Sequence, residues 1–279
     1  MRKIDKSDLL LIYLANGVQG GAAAREAVRR GFKVRGLVRN KTRSRALAEL
    51  GIELAEGDLR DAASLQTACA GVAHMVLQIP LGTLEDVRTF TANALSAAKA
   101  AAVSSVILRL ASASRPIPCD EPSFVSNAAI EQMVRDSGLP SAIVRPTMYL
   151  DNLLKPGVRA EIADHGVFEV PIDDAQRIAW TSADDCAAAA ITLLERGAYG
   201  GDHLISGPQS VTGRELMAAV SAGLHRDVVF RSQPVEDFEH DVEAAMGHGM
   251  GRRVASKFRF FQTHKIEADA MLSPILARS

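Results

Sequence analysis

Aromatic side chains are scarce in this chain, with one Trp, three Tyr and nine Phe among 279 residues, while alanine is used heavily. That supply suits helices packed closely on a sheet better than a sandwich of two sheets. Cysteine is rarer still. Cys69, Cys119 and Cys186 lie far apart with no CxxC spacing, so no disulfide framework is expected, a reducing compartment is, and each thiol reads as a small buried hydrophobe. An excess of one charge is also missing: the formal net charge is -1, with both signs interspersed. Nothing marks a surface that neutralises phosphates, and no nucleic-acid partner is expected. No apolar run is long enough to span a bilayer. The run from Leu9 to Leu14 follows a basic start but is only six residues long and leads into glycines. It reads as a buried strand rather than a secretory segment, so a soluble cytoplasmic protein without a membrane partner is expected. A GxSxG elbow is absent, which argues against a serine hydrolase. His74, His165, His203, His225, His240, His248 and His264 lack HxxxH or HExxH spacing, so no metal site is expected.

What is present is alternation. Apolar runs of strand length (LLLIYL, FKVRGLV, IELAEGD, AHMVLQI, SSVILRLAS, SAIVRPT) are separated by helical stretches over about 18–30, 43–50, 61–70, 84–102 and 123–136. That order predicts βαβ units and an α/β fold of Rossmann type, a doubly wound parallel sheet. After Pro146 the alternation loosens, although RIAWTS, a helix over 184–194 and GDHLISG read as elements of the same sheet layer. Residues 151–171 and 208–279 are assigned to a smaller lobe over the C-terminal ends of the strands, with GHGMGRR at 247–253 read as a solvated loop.

The stretch IYLANGVQGG, residues 12–21, sits between the first strand and the first helix. There backbone N–H groups and the helix dipole can receive a pyrophosphate. Gly17 allows close backbone approach, and Gly20 or Gly21 close helix–strand packing. Leu14 stands where such a turn usually has its first glycine. A leucine takes positive φ only at a cost, so the turn is expected either to relax to β-like geometry or to carry strain. Asn16 is expected to adopt the left-handed conformation in its stead and to contact a phosphate. Gly17, Val18, Gln19 and the helix N-terminus then build the phosphate site. The second strand ends in LVRNK with no carboxylate for ribose hydroxyls, and Arg39 suits a 2′-phosphate, which favours NADP(H) over NAD(H). The alternative is a solvated basic turn of Arg39, Lys41, Arg43 and Arg45.

On these residues, and on EGDLRDAASL (56–65), QIP (78–80), RPTMYLDNL (145–153) and GDHLISGPQSVTGREL (201–216), the chain resembles the NmrA-like branch of the atypical short-chain dehydrogenases/reductases. The resemblance implies a dinucleotide-binding domain over 1–150 and mainly a substrate lobe over 151–279, with segments near 172–207 returning to the Rossmann layer. It implies Asp58 and Leu59 beside the adenine, and Gln78, Ile79 and Pro80 along the nicotinamide side. By its residues alone Asp58 is equally a turn residue, and Asp61 reads as a helix N-cap.

No YxxxK occurs: Tyr13, Tyr149 and Tyr199 are not followed by lysine at that spacing. Family members often keep only the lysine; here Asn127 takes its position and Ser123 that of the tyrosine. An amide hydrogen-bonds a ribose but carries no charge to tune an acid. Ser112 and Ser114 match positions that touch substrate or cofactor, or else serve as loop hydroxyls. Tyr149 and Asn152 match the mouth of a substrate pocket, or else pack and cap a helix start. The implied activity is hydride transfer from NADP(H) to a small molecule such as a quinone or other conjugated carbonyl compound, with Asn127, Ser112 and Tyr149 nearest the chemistry. Two rivals stand beside it. One is a non-catalytic nucleotide sensor that binds a protein partner, favoured by Asn127; the other is a fold holding a small ligand without dinucleotide, if Leu14 blocks the turn.

Overall fold

A computed structural model describes residues 4–115 and 119–264. In chain order it contains β1 (Leu9–Ile12), α1 (Val18–Arg29), β2 (Lys33–Val38), α2 (Arg45–Ala48), β3 (Glu53–Glu56), α3 (Ala62–Cys69), β4 (His74–Leu77), α4 (Leu84–Ala100), β5 (Ser105–Arg109), α5 (Pro122–Asp136), β6 (Ser141–Pro146), β7 (Met148–Tyr149), α6 (Pro156–His165), β8 (Val167–Val170), β9 (Ile178–Thr181), α7 (Ala183–Arg196), β10 (Asp202–Ile205), β11 (Ser210–Val211), α8 (Gly213–Leu224), β12 (Val229–Ser232), α9 (Val235–Met246) and α10 (Met250–Thr263).

Seven strands form one sheet in the order β3-β2-β1-β4-β5-β6-β10. Every pairing in it is parallel. The order reverses between β1 and β4, and ligands of such sheets bind in the crevice at the carboxyl ends of those strands. Successive residues of β1 serve opposite faces, as the pleat requires. Leu9 and Leu11 join the core against α3, α4 and α5, whereas Leu10 and Ile12 join the core against α1 and α7. The second core is walled by alanines of both helices, Ala22, Ala23, Ala24 and Ala27 facing Ala183, Ala187 and Ala190. Small side chains bring these helices close, which is where the alanine of the sequence is spent.

Three expectations need correction. The RIAWTS segment forms β9, which lies outside the main sheet and pairs with β7 and β11. The edge of β6 it would have needed is already taken by β10. The helix expected over 43–50 is a 3₁₀ turn at Thr42–Ser44 followed by the short α2, which buries no residue. Ser44 Oγ donates to the Asn40 carbonyl, a local bond that competes with regular helix. The basic stretch at 247–253 is a loop only up to Gly249; from Met250 it is α10, whose Ala255, Ser256, Phe258, Phe260 and Phe261 are buried. An added Cβ at Gly251 would lie 2.2 Å from the Glu239 carbonyl oxygen, so α10 docks tightly on α9. Among the described residues no helix is long and apolar enough to cross a membrane.

Behind the sheet, α5 is fastened by charge. Arg145 of β6, buried, donates from Nε to Glu131 Oε1 at 2.9 Å and from Nη2 to Glu131 Oε2. Its Nη1 lies 2.9 Å from Asp202 of β10. Burial works against the Arg145 cation, but Glu131 and Asp202 outweigh it and hold its pKa above the usual value. Removing one partner of a buried pair leaves charge uncompensated. Glu131→Gln is expected to cost about 3 kcal/mol, the low end for such pairs because Asp202 remains. A denaturant midpoint that falls with unchanged slope would show this; a midpoint that stays put would mean the clamp adds nothing to stability.

Candidate functional site

The turn after β1 takes the strained alternative. Leu14 sits at φ 53, the left-handed region, at a cost of about 1–2 kcal/mol for a side chain with Cβ. Asn16, expected to supply that conformation, does not, since the positive-φ residues other than glycine are Leu14, Ala102 and His225 among the described residues. Two bonds hold the turn: Gly17 N donates to Leu14 O at 2.9 Å, and Ala15 N donates to Leu37 O at 3.1 Å. The Leu14 side chain packs against the core on the α3–α5 face. Of Gly17, Gly20 and Gly21, Gly20 is the one the geometry demands: a Cβ there would lie 2.1 Å from the Leu14 carbonyl oxygen and 2.6 Å from that of Tyr13. Helix α1 has no side-chain cap and no acidic residue in its first turn. Its opening N–H groups are therefore free for an outside acceptor, and an anion suits them.

Across the switch point runs a chain of polar side chains. Arg109 Nη2 donates to Gln78 Oε1 at 2.8 Å, Gln78 Nε2 donates to Gln19 Oε1 at 2.8 Å, and Gln19 Nε2 donates to the Ala111 carbonyl at 3.1 Å. A guanidinium has no acceptor, so Arg109 fixes which way both amides face. Arg109 is fully buried, and its Nε and Nη1 have no hydrogen-bond partner. No carboxylate pairs with it among the described residues. Sequence reasoning missed Arg109; the available signal was a charged residue inside the apolar strand SVILRL.

Tyr149 lies on this same side. It belongs to the core against α1 and α7, and its hydroxyl is buried without a hydrogen-bond partner. Burial pushes its phenol well above the usual value, and pushes the neighbouring Cys186 thiol up to about 11, with Arg109 pulling back on both. The structure thus does not bring Tyr149 to the other two candidates. Asn127 and Ser112 do come together: Asn127 Nδ2 donates to Ser112 Oγ at 3.2 Å and to the Ala113 carbonyl at 3.3 Å. Ser123, at the tyrosine position, is buried under α10, its N–H donating to Ser256 Oγ at 3.3 Å. Beside it Phe124 stacks on Phe260 with ring centroids 4.3 Å apart. A proton donor at 123 is sealed from any ligand.

The remaining candidates ring the strand ends. Leu59 and Ile79 are buried, Pro80 half-buried, and Asn16, Gly17 and Val18 exposed. Asp58 Oδ1 accepts from Arg60 N at 2.8 Å within its own turn. Asp61 caps α3, accepting from Ala63 N. Arg39, Lys41, Arg43 and Arg45 are exposed, and none makes an ion pair among the described residues. Ser114 is buried, and Asn152 lines a cavity in the C-terminal lobe.

Residues 6–277 match the NmrA-like family, and the chain belongs to it. It is 27% identical to the NAD(P)H azoreductase of Xenophilus azovorans over 88% of this chain and 84% of that protein. It is 28% identical to quinone oxidoreductase 2 of Escherichia coli strain K12 over 72% of this chain and 69% of that one. The fold matches that of Citrobacter sp. triphenylmethane reductase with a TM-score of 0.77 at 21% identity, over 96% of both chains.

Gly20→Ala is expected to destabilise the protein by about 1–3 kcal/mol, because backbone rather than a flexible side chain meets the new methyl. A thermal melt matching the parent's would show that α1 can shift freely. Arg109→Met is expected to leave stability unchanged or raise it by about 1–4 kcal/mol, since a buried charge is replaced by an apolar chain. A destabilised Arg109→Met protein in denaturant titration would mean that the guanidinium is holding the fold together.

Proposed function

We propose that this NmrA-like chain is an NADP(H)-dependent oxidoreductase that reduces a small electron-poor acceptor, a quinone or another conjugated carbonyl compound. The observation that carries the reading is the turn at β1–α1: despite Leu14 it stays tight, with Gly20 against the Leu14 carbonyl and uncapped N–H groups opening α1. A dinucleotide diphosphate fits that cradle. The third reading, in which Leu14 blocks the turn, loses its support because the Leu14 side chain packs into the core. The unpaired Arg39 at the end of β2 suits a 2′-phosphate, a group that a guanidinium grips with paired charge-assisted bonds. The names of the azoreductase and quinone oxidoreductase relatives point the same way.

In this reading Gly17, Val18 and Gln19 hold the diphosphate, and Gln78, Ile79 and Pro80 line the nicotinamide side. Asp58 and Leu59 flank the adenine, and Asn127 with Ser112 orients the nicotinamide ribose and the acceptor. When bound, NADPH supplies the hydride. None of the candidate side chains is an acid placed to supply the proton: Asn127 is a neutral amide, Ser112 offers only a hydroxyl held by Asn127, Ser123 is buried under α10, and Tyr149 is buried in the core against α1 and α7. A quinone reduced by hydride leaves an oxyanion stable enough to take its proton from water, so positioning is what the protein has to provide. A simple ketone does not, and needs an acid in place. The same residues favour a second reading, a nucleotide-sensing regulator that binds a protein partner and turns nothing over.

The expected outcome is NADPH-dependent reduction of a quinone such as menadione, with an unactivated ketone such as cyclohexanone left untouched. Arg39→Ala should lose about 1.5–3 kcal/mol of NADPH affinity and little NADH affinity. Turnover and calorimetric titration measure both. Equal parent affinities for NADPH and NADH would overturn the cofactor assignment, and tight NADPH binding with no reduction of any quinone would favour the regulator.

A further inference from the structure

The C-terminal lobe carries a half-open cavity of about 630 Å³ between α6, β8, β9, α9 and α10, a size ordinary for a small-molecule site. Phe168, Trp180, Phe238 and Phe258 line it. In a chain so poor in aromatics, their convergence on one chamber makes a surface suited to a flat ring. No residue of the β1–α1 turn, nor Gln78, Ser112 or Asn127, belongs to its lining.

Two cations face this apolar space, Lys257 from α10 and Lys155 at the start of α6. Neither makes a hydrogen bond or ion pair among the described residues, and Lys257 Nζ rests 5.0 Å from the centroid of the Phe258 ring. Carboxylates also reach the lining: Glu161 of α6, Glu169 of β8 and Asp241 of α9. None of them pairs with Lys257 or Lys155 among the described residues. Glu169 lies 3.7 Å from Arg231, Asp241 accepts from Gln233 at 2.7 Å, and Glu161 is exposed. Burial and then Lys155 lower the Lys257 pKa to about 7, with no carboxylate acting to raise it. The cavity thus holds the half-buried Lys257 and, at its open side, the exposed Lys155, neither of them ion-paired among the described residues, beside a wall of aromatic side chains.

We propose that this cavity is a binding site for an aromatic compound bearing one carboxylate or sulfonate, its ring among Trp180, Phe168, Phe238 and Phe258 and its oxyanion on Lys257. Asn152, which matches the mouth of the family's substrate pocket, lines this cavity as well, so the proposal rests on the redox reading and names the chemical class its acceptor side receives. An oxyanion restores to Lys257 the charge partner that burial denies it, so binding draws a proton onto the amine and weakens as the pH rises past neutrality. A neutral ring fills the walls and gains nothing from Lys257.

The test uses two matched dyes and no dinucleotide, so its failure is distinct from failure of the redox reading. 8-Anilinonaphthalene-1-sulfonate carries the anion, and N-phenyl-1-naphthylamine is the same aromatic body without it. Fluorescence titration of the full chain at pH 6.5 should show the sulfonate bound at least about tenfold tighter, as expected for a charge-assisted contact. Emission from Trp180, the one tryptophan in the chain, should fall in parallel. Lys257→Met should abolish the preference while leaving the neutral dye within about twofold of the parent, the margin a lost charge alone would leave; Lys257→Arg should keep it. The Met variant is expected to fold: a lysine whose pKa is lowered on folding costs stability, fully so below about pH 7 and less as the pH rises towards its unfolded value, and methionine removes that cost. In the parent the sulfonate affinity should decline between pH 6.5 and 9, and in Lys257→Met it should stay flat. Equal affinities for the two dyes in the parent, or a sulfonate preference that survives in Lys257→Met, overturns the proposal.

Discussion

The contact on which the rest of this structure depends is between a carbonyl and a glycine. The Leu14 carbonyl occupies the space a side chain at position 20 would fill, and this sets how close α1 lies to β1. From that closeness follow the aim of the first helical turn at the strand ends, the reach of Gln19 to the Ala111 carbonyl, and the seating of the α1 alanines on α7. The family's usual first glycine is dispensable here because the turn needs the left-handed conformation, and leucine can be forced into it. Gly20 is a different matter, since no conformation of an alanine removes its methyl. One position trades energy for shape; the other has no trade to offer.

Unfavourable choices gather near the carboxyl ends of the strands, on both faces of the sheet. A leucine is held at positive φ, a guanidinium is buried with two nitrogens unbonded, and a tyrosine hydroxyl is buried without a partner. Strain and unpaired buried polarity persist where surrounding packing over-determines them, and such features cluster at functional sites. The well-satisfied polar groups lie elsewhere, in the Glu131–Arg145–Asp202 clamp behind α5. The molecule thus separates a rigid frame from a costly mouth.

Much of the frame was legible because it rests on local periodicity. The strands of the sheet, α5 over nearly the expected 123–136 and the cap of α3 at Asp61 follow from patterns within a dozen residues. What failed depended on partners distant in sequence. RIAWTS has the composition of a sheet strand, and only the prior claim of β10 on β6 sends it elsewhere. Asn16 has the better left-handed propensity, but the bond from Gly17 N to the Leu14 carbonyl places the bend two residues earlier. Asn127 and Ser112 were each singled out by resemblance to family positions, and the bond between them appears only in the fold. Arg109 and Lys257 were passed over: no motif contains them, and their significance lies in the want of an ion-pair partner among the described residues, which a sequence does not display.

The clamp at Arg145 also bears on how the chain assembles. Strand β6 acquires its second neighbour only when β10 arrives, and between the two the chain makes β7, α6, β8, β9 and α7. During synthesis β6 is an open edge carrying a half-compensated buried charge, a surface that invites pairing with the wrong strand. The whole excursion is tethered at both ends to that single strand. The first part of the lobe is therefore a closed loop of the sheet, while β12, α9 and α10, which complete it, follow only after the strand that seals the sheet. A circular permutant opened between β9 and α7 would begin with the piece that seals the edge, and would build the same sheet in a different order.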